Sequence, residues 1–307
     1  MRRTPEFLIL DGTAMLFRAY FSGHRLQSPD GIEVGGVALV ARRIQRILTR
    51  ERPDRVAVVF DAGHRTFRHE MDTTYKGHRD APPKDLYPQF NLVRSVAVQM
   101  GLACFTVRGF EADDLMATLV RHGRRMGFRC QMWSADKDLF QLITDDDPAV
   151  VQFAPRARRW ITAVGVRDQF GVSPAQVVDY LSLVGDSADN IRGVRGVGPV
   201  TAAGLLNHFG SMDAIYENLE QVKSVPVRGA RTLAEKLAAG REGALLARRM
   251  IRLRDDVDLG LPVDEIPRVT NWKGPRGRTA DYLFARLGFD GPLRNLRRVA
   301  HRQHRHR

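Results

Sequence analysis

The amino-acid sequence predicts an α/β protein in which helices flank a mostly parallel central sheet and a mainly helical lobe follows. Short apolar runs at 6–10, 55–60, 102–107 and 129–133 alternate with longer stretches of helical spacing. Near-continuous apolar runs of this length are typical of parallel strands that are covered on both faces. From about residue 172 the spacing is helical and glycine interrupts it repeatedly, which indicates a second, helical part.

The same patterns give the order of the elements. A strand at 6–10 ends at Asp11, and we expect the following helix, 12–21, to have Arg18 and Tyr20 near its start. In chain order we further expect a helix at 35–50, a strand at 55–60, a helix at 86–100, a strand at 102–107, a helix opening at Glu111, a strand at 129–133, a helix opening at Asp138, a strand at 150–153 and helices to about 255.

Composition limits the classes of function. The chain of 307 residues is 43% hydrophobic, which is enough for a core, and its formal net charge is +13. This charge favours a polyanionic partner, although charge that only aids solubility is the alternative. Lysine is rare among the basic residues, which makes the position of each lysine worth examining: Lys76, Lys84, Lys137, Lys223, Lys236 and Lys273.

The sequence also predicts a compartment. It contains no apolar run that would span a membrane, and its N-terminus lacks the apolar region and cleavage site of a signal peptide. The two cysteines, Cys104 and Cys130, lie in apolar segments without zinc-site spacing. We therefore expect reduced cysteines, no membrane contact and a cytoplasmic protein.

Carboxylates follow the predicted strands. Asp11, Asp61 and Asp136 come at or just after strand ends, and the carboxyl ends of parallel strands line the ligand crevice of an α/β sheet. More acids lie at the predicted helix starts, namely Glu111, Asp113, Asp114 and Asp138. Acids in a first helical turn also occur as ordinary caps, which is the alternative for each residue singly.

A convergent set of six or seven carboxylates requires compensation, because like charges at short range raise one another's pKa. Oxygen ligands without a Cys or His cluster select Mg²⁺ or Mn²⁺ over Zn²⁺. Two such ions roughly 3.5–4 Å apart can activate water and stabilise the leaving oxygen of a phosphodiester. A basic chain with an acidic rim therefore indicates a nuclease.

A glycine-rich stretch at 193–206 supplies a second signal. Gly196 and Gly198 are expected to bracket a tight turn, and Pro199 suits the first position of a helix. Free amides at such a helix start bind phosphate without reading bases, whereas a link that merely packs is the alternative. Nearby residues favour phosphate binding or add acids that can fold back to the rim: Arg192, Arg195, Thr201, Asp186 and Asp189.

Together these motifs resemble the bacterial and phage 5′-nuclease family, the flap endonuclease relatives that include the N-terminal nuclease domain of bacterial DNA polymerase I. The similarity covers about residues 6–210, and more weakly extends to about 298. The matching pieces are LILDGTAMLFRAY, VVFDAGHRTFRHEMDTTYKGHR, GFEADDLMATL, SADKDLFQLI and GDSADNIRGVRGVGPVTAAGLL.

The resemblance implies an architecture. It implies a PIN-like core at 1–170 with a helical arch at about 62–108, a helix–hairpin–helix-type DNA-binding lobe at 171–290 with its glycine hairpin at 193–204, and a basic tail at 291–307. No polymerase domain follows in this sequence, so we expect a free-standing member of the family.

The resemblance also implies residue roles. The metal-binding acids of the family fall on nine positions: Asp11, Asp61, Glu111, Asp113, Asp114, Asp136, Asp138, Asp186 and Asp189. Lys76 and Arg79 match basic side chains of the arch that contact phosphates. Tyr75 matches an aromatic side chain that stacks on a nucleotide base near the cut. The glycine hairpin implies a grip on duplex DNA with a bound K⁺ ion, and we further assign Arg18, Tyr20 and Arg68 to DNA binding.

The function that we expect is a monomeric, structure-selective 5′-3′ exonuclease and flap endonuclease that uses Mg²⁺ or Mn²⁺. Its substrates would be 5′ flaps, nicked or branched duplexes and RNA primer ends, in DNA replication and repair. Two alternatives remain open, a DNA-junction binding protein with weak or lost catalysis and a PIN-type ribonuclease.

Overall fold

The computed structural model describes residues 4–63 and 65–304, with side chains up to His301. His64 of the predicted arch and residues 305–307 of the predicted tail lie outside the described residues. The strands are β1 Glu6–Asp11, β2 Arg55–Val59, β3 Ala103–Phe105, β4 Arg129–Trp133, β5 Val150–Ala154, β6 Arg159–Ile161, β7 Gly185–Asp186 and β8 Ile191–Arg192.

Thirteen α-helices are present among the described residues. They are α1 Gly12–Tyr20, α2 Gly35–Glu51, α3 Phe67–Met71, α4 Tyr87–Gln99, α5 Ala112–Arg125, α6 Ala163–Phe170, α7 Val177–Val184, α8 Pro199–Phe209, α9 Met212–Glu217, α10 Ala230–Ile251, α11 Ile266–Val269, α12 Gly277–Leu287 and α13 Gly291–His304. Short 3₁₀ helices lie at Asp138–Leu142, Pro174–Gln176, Leu219–Ser224 and Val263–Glu265. No helix in the described part of the chain is both long and apolar enough to cross a membrane.

The chain divides into two compact units, each built from separate stretches. Unit 1 contains the described residues of 1–63, 81–135 and 255–307, and unit 2 those of 64–80 and 136–254. The prediction of domains at 1–170 and 171–290 followed the order of the chain and stays a prediction.

Unit 1 contains the predicted parallel sheet. Its strands have the order β3-β2-β1-β4, and the paired strands all run parallel. The side chains at 7–10 of β1 are fully buried, as a strand with apolar neighbours on both faces requires. Helix α5 packs on β1 and β4, while α1, α2, α4, α12 and α13 pack on one another. The predicted α/β class with flanking helices is therefore confirmed.

Unit 2 is mainly helical. Its longest helix, α10, packs against α7, α9 and the 3₁₀ helix Leu219–Ser224, and α7 packs against α8. β5 matches the strand expected at 150–153, but its partner β6 and the β7–β8 pair were not predicted, because strands of two or three residues are too short for a periodic pattern.

Two local predictions were wrong. Arg18 and Tyr20 lie in the last turn of α1 rather than near its start, because the Asp11 carboxylate accepts a hydrogen bond from the Ala14 amide at 2.8 Å and caps the helix at Gly12. The helix expected from Asp138 is a five-residue 3₁₀ helix. Within the predicted arch at 62–108, the structure has α3, a run of turns, α4 and β3.

Candidate metal centre and nucleic-acid interface

Three carboxylates meet in unit 2. Oxygen atoms of Asp138, Asp186 and Asp189 all lie within 4.8 Å of one another, the one such group found among the residues that the structure describes. The β7–β8 pairing places Asp186 opposite Ile191, and the intervening turn carries Asp189. The Asp186 carboxylate also accepts a hydrogen bond from the Ala188 amide at 2.9 Å, which fixes this turn.

The electrostatics of this group, which we call the acid triad, favour a cation. Burial raises the pKa of the Asp138 carboxyl, and the neighbouring charges of Asp136, Asp186 and Asp189 raise it further. Lys137 forms ion pairs with Asp186 and, at 3.6 Å, with Asp138. Asp138 Oδ1 is buried and has no hydrogen-bond partner among the described residues.

This donor set fits a divalent metal ion. Its ligands would be hard carboxylate oxygens, which are the donors that Mg²⁺ and Mn²⁺ take in proteins. A metal ion would also coordinate the buried Asp138 Oδ1, which has an ion pair with Lys137 at 3.6 Å but accepts no hydrogen bond from a described residue.

Asp136 is tied to the acid triad through the backbone. Its Oδ1 accepts a hydrogen bond from the Asp138 amide at 2.9 Å, and its carbonyl accepts one from Gln152 Nε2 at 2.7 Å. Gln152 lies on β5 and is 1% exposed, so its hydrogen bond to the Asp136 carbonyl fixes the backbone at Asp136 against this strand. Asp136 therefore lies next to the triad without belonging to it.

The cations predicted at the arch reach the triad through Asp189. Arg79 Nη2 donates to Asp189 Oδ1 at 2.5 Å, and Lys76 Nζ lies 3.6 Å from Oδ2. The Lys76 amide donates to the Asp189 carbonyl at 3.0 Å, and Asn190 Nδ2 donates to the Thr74 carbonyl at 2.8 Å. The structure thus brings the predicted phosphate-binding residues Lys76 and Arg79 into contact with Asp189, a predicted metal ligand.

Tyr75 takes part in the same contact, but not in the expected way. Its hydroxyl donates to Asp189 Oδ2 at 2.9 Å, and its ring packs edge-on against His69 at 5.1 Å between centroids. The residue is 2% exposed. The ring is therefore not open to solvent in this structure, and the prediction that it stacks on a base stays a prediction.

The other predicted acids lie in unit 1, at the carboxyl ends of parallel strands. Asp11 Oδ2 accepts a hydrogen bond from Ser134 Oγ, just beyond β4, at 2.8 Å. Asp61 Oδ1 accepts one from the Ala112 amide at 2.8 Å, and its own amide donates to Thr13 Oγ1 at 2.9 Å. Asp11, Asp61 and the start of α5 therefore share one edge of the sheet.

The start of α5 supports both interpretations of its acids. Glu111 is the N-cap, and its side chain and that of Asp114 accept each other's backbone amides in a capping box. Asp114 is fully buried, whereas Asp113 is half-buried. In the capping box, one carboxylate oxygen of Glu111 and one of Asp114 accept backbone hydrogen bonds. The convergence of all nine carboxylates on one site stays a prediction.

The glycine turn of unit 2 differs from the expected one. Gly196 has φ +85°, in the left-handed region that favours glycine, but Gly198 has φ −96° and is the N-cap of α8. A Cβ at Gly198 would meet no atom within 4 Å. Of the two glycines expected to bracket the turn, only Gly196 therefore has a backbone conformation that favours glycine, while Pro199 is the first helical residue as predicted.

Cations surround this turn. Arg192 and Arg195 are exposed, and Thr201 in the first turn of α8 is half-buried. Lys236 of α10, which the sequence did not assign, lies beside the turn: a Cβ built on Gly196 would be 3.3 Å from its Cδ and 3.5 Å from its Nζ. The rarity of lysine in this chain is the signal that could have indicated it.

Two of the three remaining residues assigned to DNA binding are buried and have internal partners. Tyr20 is 6% exposed and its hydroxyl donates to Asp85 at 2.5 Å. Arg68 is 2% exposed, and its Nε donates to the Met250 carbonyl at 2.6 Å. Arg18 is half-buried, and the assignment of all three residues to DNA binding stays a prediction.

The fold and site define a basic α/β protein with carboxylates at the edge of a parallel sheet and an acid triad in its helical unit. Two family models match the chain, "5′-3′ exonuclease, N-terminal resolvase-like domain" at residues 6–171 and "5′-3′ exonuclease, C-terminal SAM fold" at residues 172–273. The chain belongs to the 5′-3′ exonuclease family.

The similarity of the chain to individual proteins agrees with this family assignment. DNA polymerase I of Rhizobium leguminosarum is 34% identical over 87% of this chain, which spans 26% of that protein. The 5′-3′ exonuclease of Buchnera aphidicola is 29% identical over 84% of this chain and 90% of its own length. The chain thus spans about a quarter to a third of the first polymerases that it matches.

A solved structure shows the same fold. The flap endonuclease of bacteriophage T5, in a pseudo-enzyme–product complex with DNA and metal ions, has a TM-score of 0.67 and is 24% identical. The similarity covers 86% of this chain and 97% of that chain.

Proposed function

We propose that this chain is a divalent-metal-dependent 5′ nuclease that hydrolyses phosphodiester bonds of DNA. The observation that carries the proposal is Asp189, which joins the acid triad to the cations Lys76 and Arg79. A metal-binding group and phosphate-binding cations then act on the same phosphate. The similarity to a phage flap endonuclease solved with DNA and metal ions supports this proposal.

The residues divide the chemistry among them. Asp138, Asp186 and Asp189 would hold one divalent ion, and the acids of unit 1 would hold another. Such ions supply an activated water and stabilise the leaving oxygen of the cut strand. Lys76 and Arg79 would offset the charge that develops on the phosphate, which favours the transition state over the bound ground state. Lys137 balances part of the triad's negative charge.

The glycine turn would hold the duplex part of the substrate. The amides at the start of α8, with Arg192, Arg195 and Lys236, form a surface that recognises phosphates and not bases. We propose 5′ flaps and nicked duplexes as substrates in replication and repair, Mg²⁺ or Mn²⁺ as the metal, K⁺ at the glycine turn, and a monomer acting at the nucleoid.

Cleavage of a 5′-flap duplex, a nicked duplex, a single strand and a folded RNA, each with Mg²⁺, Mn²⁺ or EDTA, tests the proposal. We expect metal-dependent cutting of the flap near its base. Asp113→Asn and Asp136→Asn should abolish cutting while DNA binding in Ca²⁺ is retained, and Asp168→Asn, at an exposed acid outside the site, is the control.

Three outcomes would count against the proposal. Tight flap binding without cleavage would indicate a junction-binding protein, and faster cutting of the RNA would indicate a PIN-type ribonuclease. Near wild-type turnover by either Asp→Asn variant would refute the assignment of these acids.

A further inference from the structure

Lys137 places its ammonium group within the acid triad. Its Nζ donates a hydrogen bond to Asp186 Oδ2 and lies 3.6 Å from Asp138 Oδ1. Both oxygens belong to carboxylates of the triad, whose oxygen atoms lie within 4.8 Å of one another. A cation that is built into the chain therefore contacts the same carboxylates that would coordinate a divalent ion.

The third acid of the triad has cations of its own. Asp189 pairs with Arg79 at 2.5 Å and with Lys76 at 3.6 Å. Among the described residues, Lys137 is the only cation that forms an ion pair with Asp138 or Asp186. The positive charge at these two acids therefore depends on a single side chain.

The backbone at Lys137 is fixed, but its side chain is partly open to solvent. The residue precedes the 3₁₀ helix Asp138–Leu142, and the Asp138 amide donates to Asp136 Oδ1 at 2.9 Å. The Lys137 side chain is 35% exposed. Because a lysine stem is flexible, the ammonium can leave the triad without a change in the backbone.

The ammonium and a divalent ion compete for this position. Mg²⁺ takes oxygen ligands at about 2.0–2.1 Å. An ion bound to Asp138 Oδ1 would accordingly lie no more than about 6 Å from Lys137 Nζ at its present place. Positive charges at such a distance repel each other strongly when they are partly shielded from water. Binding of the ion therefore favours movement of the ammonium away from the triad.

We propose that Lys137 is a displaceable counter-ion of the acid triad. Its ammonium stabilises the metal-free carboxylates, and a divalent ion displaces it on binding. Lys137 is thus a positioning residue that keeps the triad assembled and lowers its affinity for metal. This proposal rests on the proposed nuclease function, because it takes the triad as a metal site of that nuclease.

Metal binding in the absence of DNA tests the proposal. Lys137→Met keeps most of the apolar stem and removes the charge. We expect the dissociation constant of Mn²⁺ at the triad to fall by about 10-fold or more, on the scale by which one charge within 4–6 Å shifts a proton equilibrium. Electron paramagnetic resonance of free Mn²⁺, in a titration at constant pH, measures this constant. A side chain that only supported the site would give weaker binding when removed.

Asp138→Asn assigns the change to the triad. The acids of unit 1 would also bind Mn²⁺, so the titration is repeated with Asp138→Asn alone and combined with Lys137→Met. Because the asparagine variant lacks a triad ligand, its remaining Mn²⁺ binding belongs to unit 1. This remaining binding should not respond to Lys137→Met.

Three variants separate the charge at this position from other effects. Lys137→Arg keeps the charge and should bind Mn²⁺ about as the wild type does. Lys137→Gln keeps an N–H donor for Asp186 without the charge, so it should tighten binding as Lys137→Met does, and it decides the test if the methionine variant does not fold. Lys223→Met removes an exposed lysine of unit 2 that has no ion pair among the described residues, and it should bind Mn²⁺ as the wild type does.

Thermal unfolding gives an independent measurement. In EDTA, Lys137→Met should have a lower Tm than the wild type, because the carboxylates lose their counter-ion. Its increase in Tm on addition of Mn²⁺ should exceed that of the wild type, since tighter binding to the folded state stabilises it further. A purely structural loss would lower Tm in both conditions without enlarging the increase.

Unchanged or weaker Mn²⁺ binding in the folded Lys137→Met or Lys137→Gln protein would overturn the proposal, as would an equal gain in Lys223→Met. These results leave the proposed function standing as long as the wild-type protein cuts the flap with metal. A wild-type protein that does not cut would instead refute the proposed function.

Discussion

At the residue scale, Asp189 decides how the candidate site is organised. Its carboxylate has contacts with Tyr75, Lys76 and Arg79, which lie more than a hundred residues earlier in the chain. Lys76 adopts φ +53° and Asn190 φ +57°, so two non-glycine residues take the left-handed conformation at this junction. Such conformations cost roughly 1–2 kcal/mol each and persist only where surrounding contacts hold them.

The Tyr75 hydroxyl provides a test of this organisation. Tyr75→Phe keeps the ring but removes the hydrogen bond that orients Asp189. We expect the Mn²⁺ concentration for half-maximal cleavage to rise by about 10-fold, as is typical when a partner of a metal ligand is lost. DNA affinity in Ca²⁺ should be unchanged.

The control for this variant is Tyr87→Phe, at an exposed tyrosine, which should leave the metal dependence unaltered. If Tyr75 acted by stacking on a base, phenylalanine would replace it without loss. An unchanged Mn²⁺ dependence in Tyr75→Phe would therefore favour the stacking hypothesis over the role in orienting Asp189.

Lys76 provides a second prediction at this scale. We expect Lys76→Ala to lower single-turnover cleavage with Mg²⁺ by about 10²-fold, on the scale of losing one electrostatic donor. Lys76→Arg should restore only part of the rate, because its planar fork does not reproduce a compact ammonium. Affinity measured in Ca²⁺ should fall far less, since many other cations hold the backbone.

Lys84→Ala is the matched control, because Lys84 is exposed and forms no ion pair with the described residues. A Lys76→Ala protein with normal rate and weakened binding would show that this lysine only anchors DNA.

At the element scale, the glycine turn is held by the packing of α10. Gly240 of α10 lies against Val194, since a Cβ on that glycine would be 3.0 Å from Val194 Cγ1. Lys236 is one helical turn before Gly240 and therefore faces the same loop. The register of a distant helix thus supplies a cation to the start of α8.

The two glycines of this turn should respond differently to substitution. Gly196→Ala forces a Cβ into the left-handed region and against Lys236, so we expect it to destabilise the protein by about 1–2 kcal/mol and to weaken duplex binding. Gly198→Ala should have little effect on either property, because its backbone is extended and the space beside it is open. Urea unfolding and anisotropy with duplex and single-stranded DNA check both.

Equal loss of duplex and single-strand affinity in Gly196→Ala would indicate a structural role alone. A Gly198→Ala protein as weak as Gly196→Ala would contradict the geometry of the turn.

At the scale of the whole molecule, stability should depend on metal and pH together. The pKa of the Asp138 carboxyl is raised above its ordinary value of 3.8, chiefly by burial. A carboxyl with a raised folded pKa stabilises the protein below its unfolded pKa, and this contribution is lost as pH rises through the folded value. The metal-free protein should therefore lose stability with rising pH.

Metal binding should oppose this loss, because the ion takes the deprotonated carboxylate. We expect the increase in Tm that Mn²⁺ produces relative to EDTA to grow between about pH 5 and 8. Differential scanning fluorimetry measures it. Asp138→Asn should remove most of the increase and Asp168→Asn should retain it, and an undiminished increase in Asp138→Asn would exclude the triad as the metal site.

The sequence by itself determined the elements and the residues at their ends. Apolar runs of five or six residues specify buried parallel strands, and the residues that follow such strands reach one edge of the sheet, as Asp11 and Asp61 do. The acids at the start of α5 were likewise predictable, because capping is local to the chain. The family followed from the same motifs.

Only the tertiary structure decided which side chains meet across the chain. Tyr75 and Asp189 are 114 residues apart, and no periodicity indicates that the ring would be buried and its hydroxyl bound. Sequence periodicity likewise does not indicate that Arg68 is buried, that the space beside Gly198 is open, or that Lys236 lies beside Gly196. Periodic patterns record the surroundings of each element separately, whereas these contacts depend on how distant elements pack.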